Sequence, residues 1–381
     1  MPAPAPSLKR YSRWRSWGEA YLLLAGLLNL LALSVLLFSI WISQFRDLEF
    51  TGTITFVVFL SLVHWIRFYT YRPRLSPSLP PPDNSRNLLR IFVEETARIH
   101  ALPAPAHIRL QAESALFLHK TGPTMTLRMG LPQLMGLPLE ALQALLQHEL
   151  VRVHDPDGPG GRHTPRVEAF VLRRGEAMAM QGHGVLLYPY RKWFWPRIAE
   201  EARLLLQARV LHADAGCHPL LPGGRLPAAL LQEMLLLRWV SRHWDRELAQ
   251  LRLSSPTPPS DLPERRLACL QTPIPETLAH TWKLEALEMV ALDGEMMPAF
   301  QDRLARMGAG PPSLPPPLRT PAAAALLTED DLLEVLLVLG LREARMLRKD
   351  WKLAHQHLKD RADLIDPHQT AASIPHMWRA A

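Results

Sequence analysis

The residues best suited to chemistry lie in one short stretch, which reads Gln147-His148-Glu149-Leu150-Val151-Arg152. Two histidines four residues apart on a helix can bind one zinc ion, while a glutamate between them activates the zinc-bound water. His148 and Glu149 fit the first half of that arrangement, but the position of the second histidine is Arg152. A guanidinium is always protonated and has no lone pair for a metal, so Arg152 cannot serve as a ligand.

His154 does not replace the missing imidazole. It follows His148 by six residues, which at ~100° per residue places it about 120° further round the helix. Two interpretations of His148 therefore stay open: it is a metal ligand, or it is an interior histidine held by hydrogen bonds. The second arrangement is the more common for a histidine without a partner ligand.

The elements around this stretch indicate a mostly helical chain with a small sheet, in the α+β class. We expect a helix at residues 86–100 and short strands at 107–110 and 124–129, where apolar and polar residues alternate. Helices dominate afterwards. Near the C-terminus, Thr328 is the predicted N-cap of a long helix that has acidic residues early and basic residues late, as the helix dipole favours.

Two apolar segments near the N-terminus predict a membrane hairpin. Residues 20–42 carry no charge, and ~20 apolar residues suffice to cross a bilayer. Residues 50–67 form a second, shorter segment, for which a buried amphipathic helix is the alternative. Basic residues flank the pair on both outer sides: Lys9, Arg10, Arg13, Arg15, Arg72 and Arg74. The positive-inside rule then predicts a multi-pass protein of the inner (cytoplasmic) membrane with both termini and the main domain in the cytoplasm.

Proline divides the chain. The sequence has 36 prolines in 381 residues, about twice the usual share, and two stiff proline-rich linkers account for part of the excess. The predicted segments are a membrane hairpin, a linker, a central domain, a second linker and a helical C-terminal segment, at residues 1–76, 77–85, 86–309, 310–321 and 322–381.

The net charge of +7 belongs mostly to the membrane segment. Residues 1–76 hold eight of the 43 Lys and Arg residues and only three of the 36 Asp and Glu residues. The basic character therefore reflects membrane topology and gives no support for a nucleic-acid partner. The two cysteines, Cys217 and Cys269, exclude a disulfide scaffold.

Two further patterns carry weaker predictions. Residues 188–195 mix aromatic and basic side chains, which favours a segment that touches lipid headgroups, with an ordinary core cluster as the alternative. The consecutive Arg173 and Arg174 are expected to be solvated.

Taken in order, residues 86–270 resemble the membrane-associated zinc metallopeptidases of the CAAX-prenyl-protease and heat-shock HtpX type. The shared features are a helix, two strands of which the second ends in Gly130-Leu131, and the helix that carries His148 and Glu149. The resemblance implies a zincin-like metallopeptidase domain at residues 86–309. It also implies a third zinc ligand, a Glu in an R-x-x-E-x-x-A-D pattern.

The chain departs from this family at two positions. Arg197-Ile198-Ala199-Glu200 resembles the first half of the ligand pattern, so Glu200 is the implied ligand, and the aspartate of the pattern then falls on Leu204. A metal ligand and the carboxylate that supports it serve the same ion, so the loss of both, at Arg152 and Leu204, predicts loss of the zinc. We expect Arg152 to pair instead with Glu149 or Glu200.

Two functions are consistent with these patterns. The first is a membrane-anchored metallopeptidase-like protein without zinc, which acts as a binding or scaffold protein at the cytoplasmic membrane face. By resemblance, it would hold an extended peptide along an edge strand near residues 114–117. The alternative is an active zinc endopeptidase that cleaves membrane or misfolded proteins, with Glu149 as general base and His148, Glu200 and an unorthodox third group on zinc. In both, the partners are the lipid bilayer and a protein or peptide client.

Overall fold

The computed structural model describes residues 7–42, 48–71, 76–121, 124–155, 157–181, 187–289 and 296–362. Its helices are α1 (Leu8–Ile42), α2 (Leu48–Thr70), α3 (Asp83–Ile99), α4 (Leu131–Gly136), α5 (Leu139–His154), α6 (Thr164–Gln181), α7 (Trp195–Cys217), α8 (Arg225–Ser254), α9 (Leu262–Ala268), α10 (Glu276–Glu288), α11 (Phe300–Met307), α12 (Ala323–Leu326) and α13 (Glu329–Ala362). Its strands are β1 (Ser78–Leu79), β2 (His107–Gln111), β3 (Leu116–Thr121) and β4 (Thr124–Gly130). The mostly helical composition with a small mixed sheet is confirmed.

The chain forms two compact units. Unit 1 consists of Met1–Arg74, Pro159–Arg209 and Leu292–Met297. Unit 2 consists of Leu75–Gly158, Val210–Ala291 and Pro298–Ala381.

In unit 1, α1 and α2 pack against each other. The indole of Trp65 donates a hydrogen bond to the carbonyl of Leu22 at 2.8 Å, and Asn29, buried in α1, donates to Ser61 at 3.4 Å. Such polar contacts stabilise helix pairs in an apolar environment. Of the described helices, only α1 is long and apolar enough by length and composition to cross a membrane, over Leu8–Phe38; the apolar part of α2 is shorter. The second span and the orientation stay predictions.

Unit 1 also corrects the expectation that Arg173 and Arg174 are solvated. Arg174 is buried and forms an ion pair with Glu19 at 2.9 Å. Arg173 donates hydrogen bonds to the carbonyls of Tyr69 and Tyr71 at 2.6 and 2.8 Å. The last carbonyls of a helix lack partners within it, so Arg173 satisfies the C-terminal end of α2.

The aromatic segment 188–195 is helical, with a π-helical turn at Tyr190–Phe194 that leads into α7. Tyr190 is fully buried and packs edge-on against Phe68, so it belongs to the core of unit 1. Tyr188 and Trp193 are exposed. Tyr190 is thus part of a core cluster, which was the alternative interpretation. Contact of the exposed Tyr188 and Trp193 with lipid headgroups stays a prediction.

The sheet of unit 2 has the strand order β1-β2-β4-β3. β2 and β4 are parallel, with Leu110 beside Met129, and the other two pairings are antiparallel. The predicted strands are observed as β2 and β4, and the predicted helix at 86–100 as α3. β3 lies at the edge of the sheet, slightly later in the chain than the expected position at 114–117.

The packing of α5 positions the candidate site. Leucines four residues apart on α5, namely Leu142, Leu146 and Leu150, are buried in the same core as Leu110 and Leu127 of the sheet. Another side of α5 packs against α8. Because α5 lies between the sheet and α8, its polar residues Gln147, His148 and Glu149 are buried.

The long C-terminal helix belongs to the same unit. The backbone N–H of Asp331 donates to the hydroxyl of Thr328 at 3.2 Å, so Thr328 is the N-cap of α13 as predicted. Asp331 also pairs with Ser85 at the start of α3. The contact between Ser85 and Asp331 joins the start of α3 to the start of α13 within unit 2.

Candidate functional site

Glu149 is buried on α5 and its carboxylate is fully engaged. Arg152, one turn later, donates two hydrogen bonds of 2.7 Å, from Nε to Oε2 and from Nη2 to Oε1. The backbone N–H of Leu118 donates to Oε1 at 2.9 Å. Arg152 thus pairs with Glu149, one of its two predicted partners.

The charge of Glu149 follows from these contacts. Burial alone would raise the pKa of its carboxyl group, but the charge and hydrogen bonds of Arg152 and the Leu118 N–H outweigh burial and lower the pKa. Glu149 is therefore an ionised carboxylate with low basicity. A general base works best when its pKa lies near the operating pH.

His148 faces a second ion pair. Its Nε2 atom lies 3.0 Å from Oδ1 of Asp214 on α7 and 3.3 Å from Nη2 of Arg303 on α11. Arg303 holds the same carboxylate in a bidentate pair, from Nε to Oδ2 at 2.8 Å and from Nη2 to Oδ1 at 2.7 Å. With a proton on Nε2, His148 donates to Asp214; with the proton on Nδ1, it accepts from Arg303. In either tautomer His148 is an interior histidine held by hydrogen bonds.

Asp214 is completely buried, at 0% exposure. Burial favours the neutral acid, but the hydrogen bonds and charge of Arg303, helped by His148, prevail and lower the pKa of Asp214 to about 2. The carboxylate and the guanidinium therefore form a permanent ion pair at neutral pH.

Glu233 on α8 is the third carboxyl group of the site. Burial raises its pKa to about 7, and the negative charge of Glu149 adds to this effect. Arg303 and a hydrogen bond with Gln133 oppose the shift without cancelling it. We call the set of His148, Glu149, Arg152, Asp214, Glu233 and Arg303 the buried charge cluster. Two of its carboxylates have a guanidinium each, and Glu233 is the carboxyl group in excess.

Glu200 is not the carboxylate that contacts His148. It is exposed on the unit 1 part of α7 and accepts two hydrogen bonds from Arg203, at 2.6 and 2.7 Å. Leu204, one turn later, is partly buried. Asp214 supplies the contact to His148 instead.

Sequence reasoning missed Asp214, Glu233 and Arg303. A signal for Asp214 existed, because the dipeptide Ala213-Asp214 matches the end of the R-x-x-E-x-x-A-D pattern. In that register the ligand position is Val210, which is buried and apolar. No local pattern marks Arg303, which lies 155 residues from His148 in the chain.

The residues present do not fit a resident zinc ion. Within the described part of the chain, no group of three or more His, Cys, Asp or Glu side chains is arranged to hold a metal. His148 and Asp214, which contact each other, both face the guanidinium of Arg303. The geometry of the site therefore supports no metal-dependent step.

The edge strand β3 presents backbone groups beside the cluster. The N–H of Gly130 in β4 donates to the carbonyl of Ala115, whereas the N–H of Leu118 points away from β4 to Glu149. Because the direction alternates along a strand, the backbone groups of Leu116 and Leu118 point away from β4. On this outer edge, the N–H of Leu118 donates to Glu149. The N–H and C=O of Leu116 lie on the same edge, two residues earlier in the strand.

Comparisons of the chain with protein-family models, with curated proteins and with solved structures give no match. The resemblance to zinc metallopeptidases therefore stays a prediction from the sequence. The proposed function below rests on the geometry of the buried charge cluster.

Proposed function

We propose that this protein is a membrane-anchored binding protein that holds extended polypeptide segments at the cytoplasmic membrane face and does not hydrolyse them. The observation that carries the proposal is the position of Arg303. Its guanidinium contacts both His148 and Asp214, so a fixed positive charge stands where a metallopeptidase needs its metal ion.

Electrostatics disfavours zinc at this position. A divalent cation about 4 Å from a guanidinium is repelled by roughly 8 kcal/mol at an effective dielectric constant of ~20. A complete structural zinc site gains roughly 10–16 kcal/mol. The repulsion would therefore offset a large part of that gain.

The second guanidinium removes the general base. A peptidase glutamate must accept a proton from water, but both oxygens of Glu149 already accept hydrogen bonds from Arg152. The lowered pKa of Glu149 further weakens it as a base.

The family resemblance, which is a prediction from the sequence, is consistent with this proposal. In the register set by Ala213-Asp214, the three ligand positions hold His148, Arg152 and Val210. Neither an arginine nor a valine binds zinc. The same family binds its substrates as extended peptides. We infer that this chain has kept peptide binding and lost hydrolysis.

The edge strand β3 is the proposed binding surface. A peptide that adds to it as a further strand would form hydrogen bonds with the outward backbone groups of Leu116. The apolar α1 would keep this surface at a membrane, and the flanking arginines and Lys9 favour the cytoplasmic side.

The test uses the full chain in detergent with fluorescently labelled casein as an unfolded probe. We expect casein to bind and to stay uncleaved, with or without a chelator. Leu116→Pro removes an outward donor and should weaken binding about tenfold, the value of a main-chain hydrogen bond. Leu116→Ala is the matched control, because it shortens the same side chain and keeps the N–H.

Three outcomes would contradict the proposal. Cleavage of casein that a chelator abolishes would establish the alternative, an active zinc endopeptidase. Equal binding by the Pro and Ala variants, or no binding at all, would reject the edge strand as the binding surface.

A further inference from the structure

The helix α13 has a second apolar face that the described residues of this chain leave exposed. Leu333, Leu337 and Leu341 are 57%, 58% and 52% exposed. Residues four apart lie on one side of a helix, so the three form a continuous stripe. The opposite side, which includes Val335 and Leu339, is buried in the core of unit 2. The stripe is therefore not part of the described core of unit 2.

Charges of opposite sign lie at the two ends of the stripe. The exposed Glu329 and Asp330 precede it, and the exposed Arg345 and Arg348 follow it. Asp330 is seven residues before Leu337 and Arg345 is eight after it, or about 10 and 12 Å along the axis. The flanking charges therefore lie at nearly equal distances from Leu337, and those at one end have the opposite sign to those at the other.

We propose that the α13 stripe binds the same stripe of a second copy of this chain, with the two helices antiparallel and centred on Leu337. In this arrangement Leu337 faces its own counterpart and Leu333 faces Leu341 of the second copy. The acidic first turn lies level with Arg345 of the other helix. The interface is self-complementary, as a two-fold symmetric dimer requires.

The charges favour an antiparallel second copy over a parallel copy or a bilayer. A parallel pair of α13 helices would bring like charges level with each other, which is unfavourable. A bilayer with anionic headgroups would attract the basic end and repel Glu329, Asp330 and the exposed Glu334. A second copy supplies an apolar stripe of matching length and complementary charges at both ends. This inference does not depend on peptide binding.

The first experiment is disulfide formation in the full chain in detergent under mild oxidation. Leu337→Cys should cross-link to itself, because facing residues come within the distance that a disulfide bridges. Leu333→Cys alone should not, since its two copies would be about 12 Å apart along the axis, but it should cross-link with Leu341→Cys chains. The wild-type chain controls for Cys217 and Cys269.

The second experiment tests the charges by measuring the dimer dissociation constant. Arg345→Glu should raise it about tenfold, and Asp330→Arg in the same chain should restore it. Lys352→Glu makes the same charge change beyond the paired region and should have no effect.

The proposal is overturned if the full chain is monomeric at micromolar concentration. It is also overturned if Leu333→Cys cross-links to itself as efficiently as Leu337→Cys, or if the Arg345 and Lys352 variants weaken the dimer equally. A polarity-sensitive dye on Leu337→Cys that responds to anionic vesicles and not to protein concentration would assign the stripe to lipid and reject the second copy.

Discussion

Replacing Arg303 by methionine should destabilise the protein by about 3–5 kcal/mol at pH 7. Methionine keeps much of the aliphatic volume and removes the guanidinium, which leaves the fully buried Asp214 without its bidentate partner. Removal of one partner of a buried pair typically costs about this much, because the other charge stays buried.

The cost should depend on pH in a defined direction. In the wild type, the pKa of Asp214 is lowered to about 2 from its ordinary value of 3.8. Its carboxylate therefore adds stability above pH 4, which is lost as the pH falls toward 2, and this contribution is about 2 kcal/mol. In Arg303→Met, burial is the dominant influence and raises the pKa of Asp214, so the variant loses stability as the pH rises. The difference between the two proteins should thus be larger at pH 8 than at pH 4.

Denaturant unfolding in detergent, followed by tryptophan fluorescence at pH 4 and pH 8, measures this difference. Arg265→Met is the matched control, since Arg265 pairs with Asp261 and Glu247 at 2.9 and 3.0 Å on the partly exposed surface. Exposed pairs contribute about 0–1 kcal/mol. If Arg303→Met costs no more than the control, or costs the same at both pH values, the reasoning about the buried charge cluster is refuted. Adding Asp214→Leu to Arg303→Met should recover most of the loss.

Three further substitutions test separate parts of the structure. Glu233→Gln should leave stability at pH 4.5 nearly unchanged and raise it by up to about 3 kcal/mol at pH 8. The pKa of Glu233 is raised to about 7, so the wild type loses stability as this group ionises. Urea unfolding across this pH range measures the gain, and a gain that does not depend on pH would contradict the prediction. Gly26→Val should loosen the α1–α2 pair, because a β-carbon there would collide with the ring of Trp65, and an unchanged thermal midpoint would argue against that packing. Gly340→Ala should lower stability by about 1–3 kcal/mol, since its β-carbon would overlap the backbone carbonyl of Ser260; normal stability would mean that α13 does not pack so closely against this turn.

The local parts of the site could be predicted because their signals are local. The leucine spacing and the His148-Glu149 pair identify α5, and Arg152 one turn after Glu149 is a natural helix pair. These contacts need only helix geometry. The predicted N-cap at Thr328 succeeded for the same reason, since it involves residues three apart.

The wrong or missing parts depend on tertiary packing. Arg197-x-x-Glu200 looked like a ligand pattern, but charged residues three apart are common on exposed helices, and Glu200 pairs with Arg203 in just this way. Arg303 reaches His148 from a distant helix, and no spacing in the sequence announces such a contact. Arg174 was expected in solvent because nothing local indicated that Glu19 would lie beside it.

The most direct test of the central claim is the metal content of the full chain purified in detergent without chelators. If Arg152 and Arg303 have replaced the metal, the wild type should contain far less than one zinc per chain, and His148→Ala should contain the same small amount. One zinc per chain in the wild type that disappears in His148→Ala would contradict the account and restore the zinc peptidase.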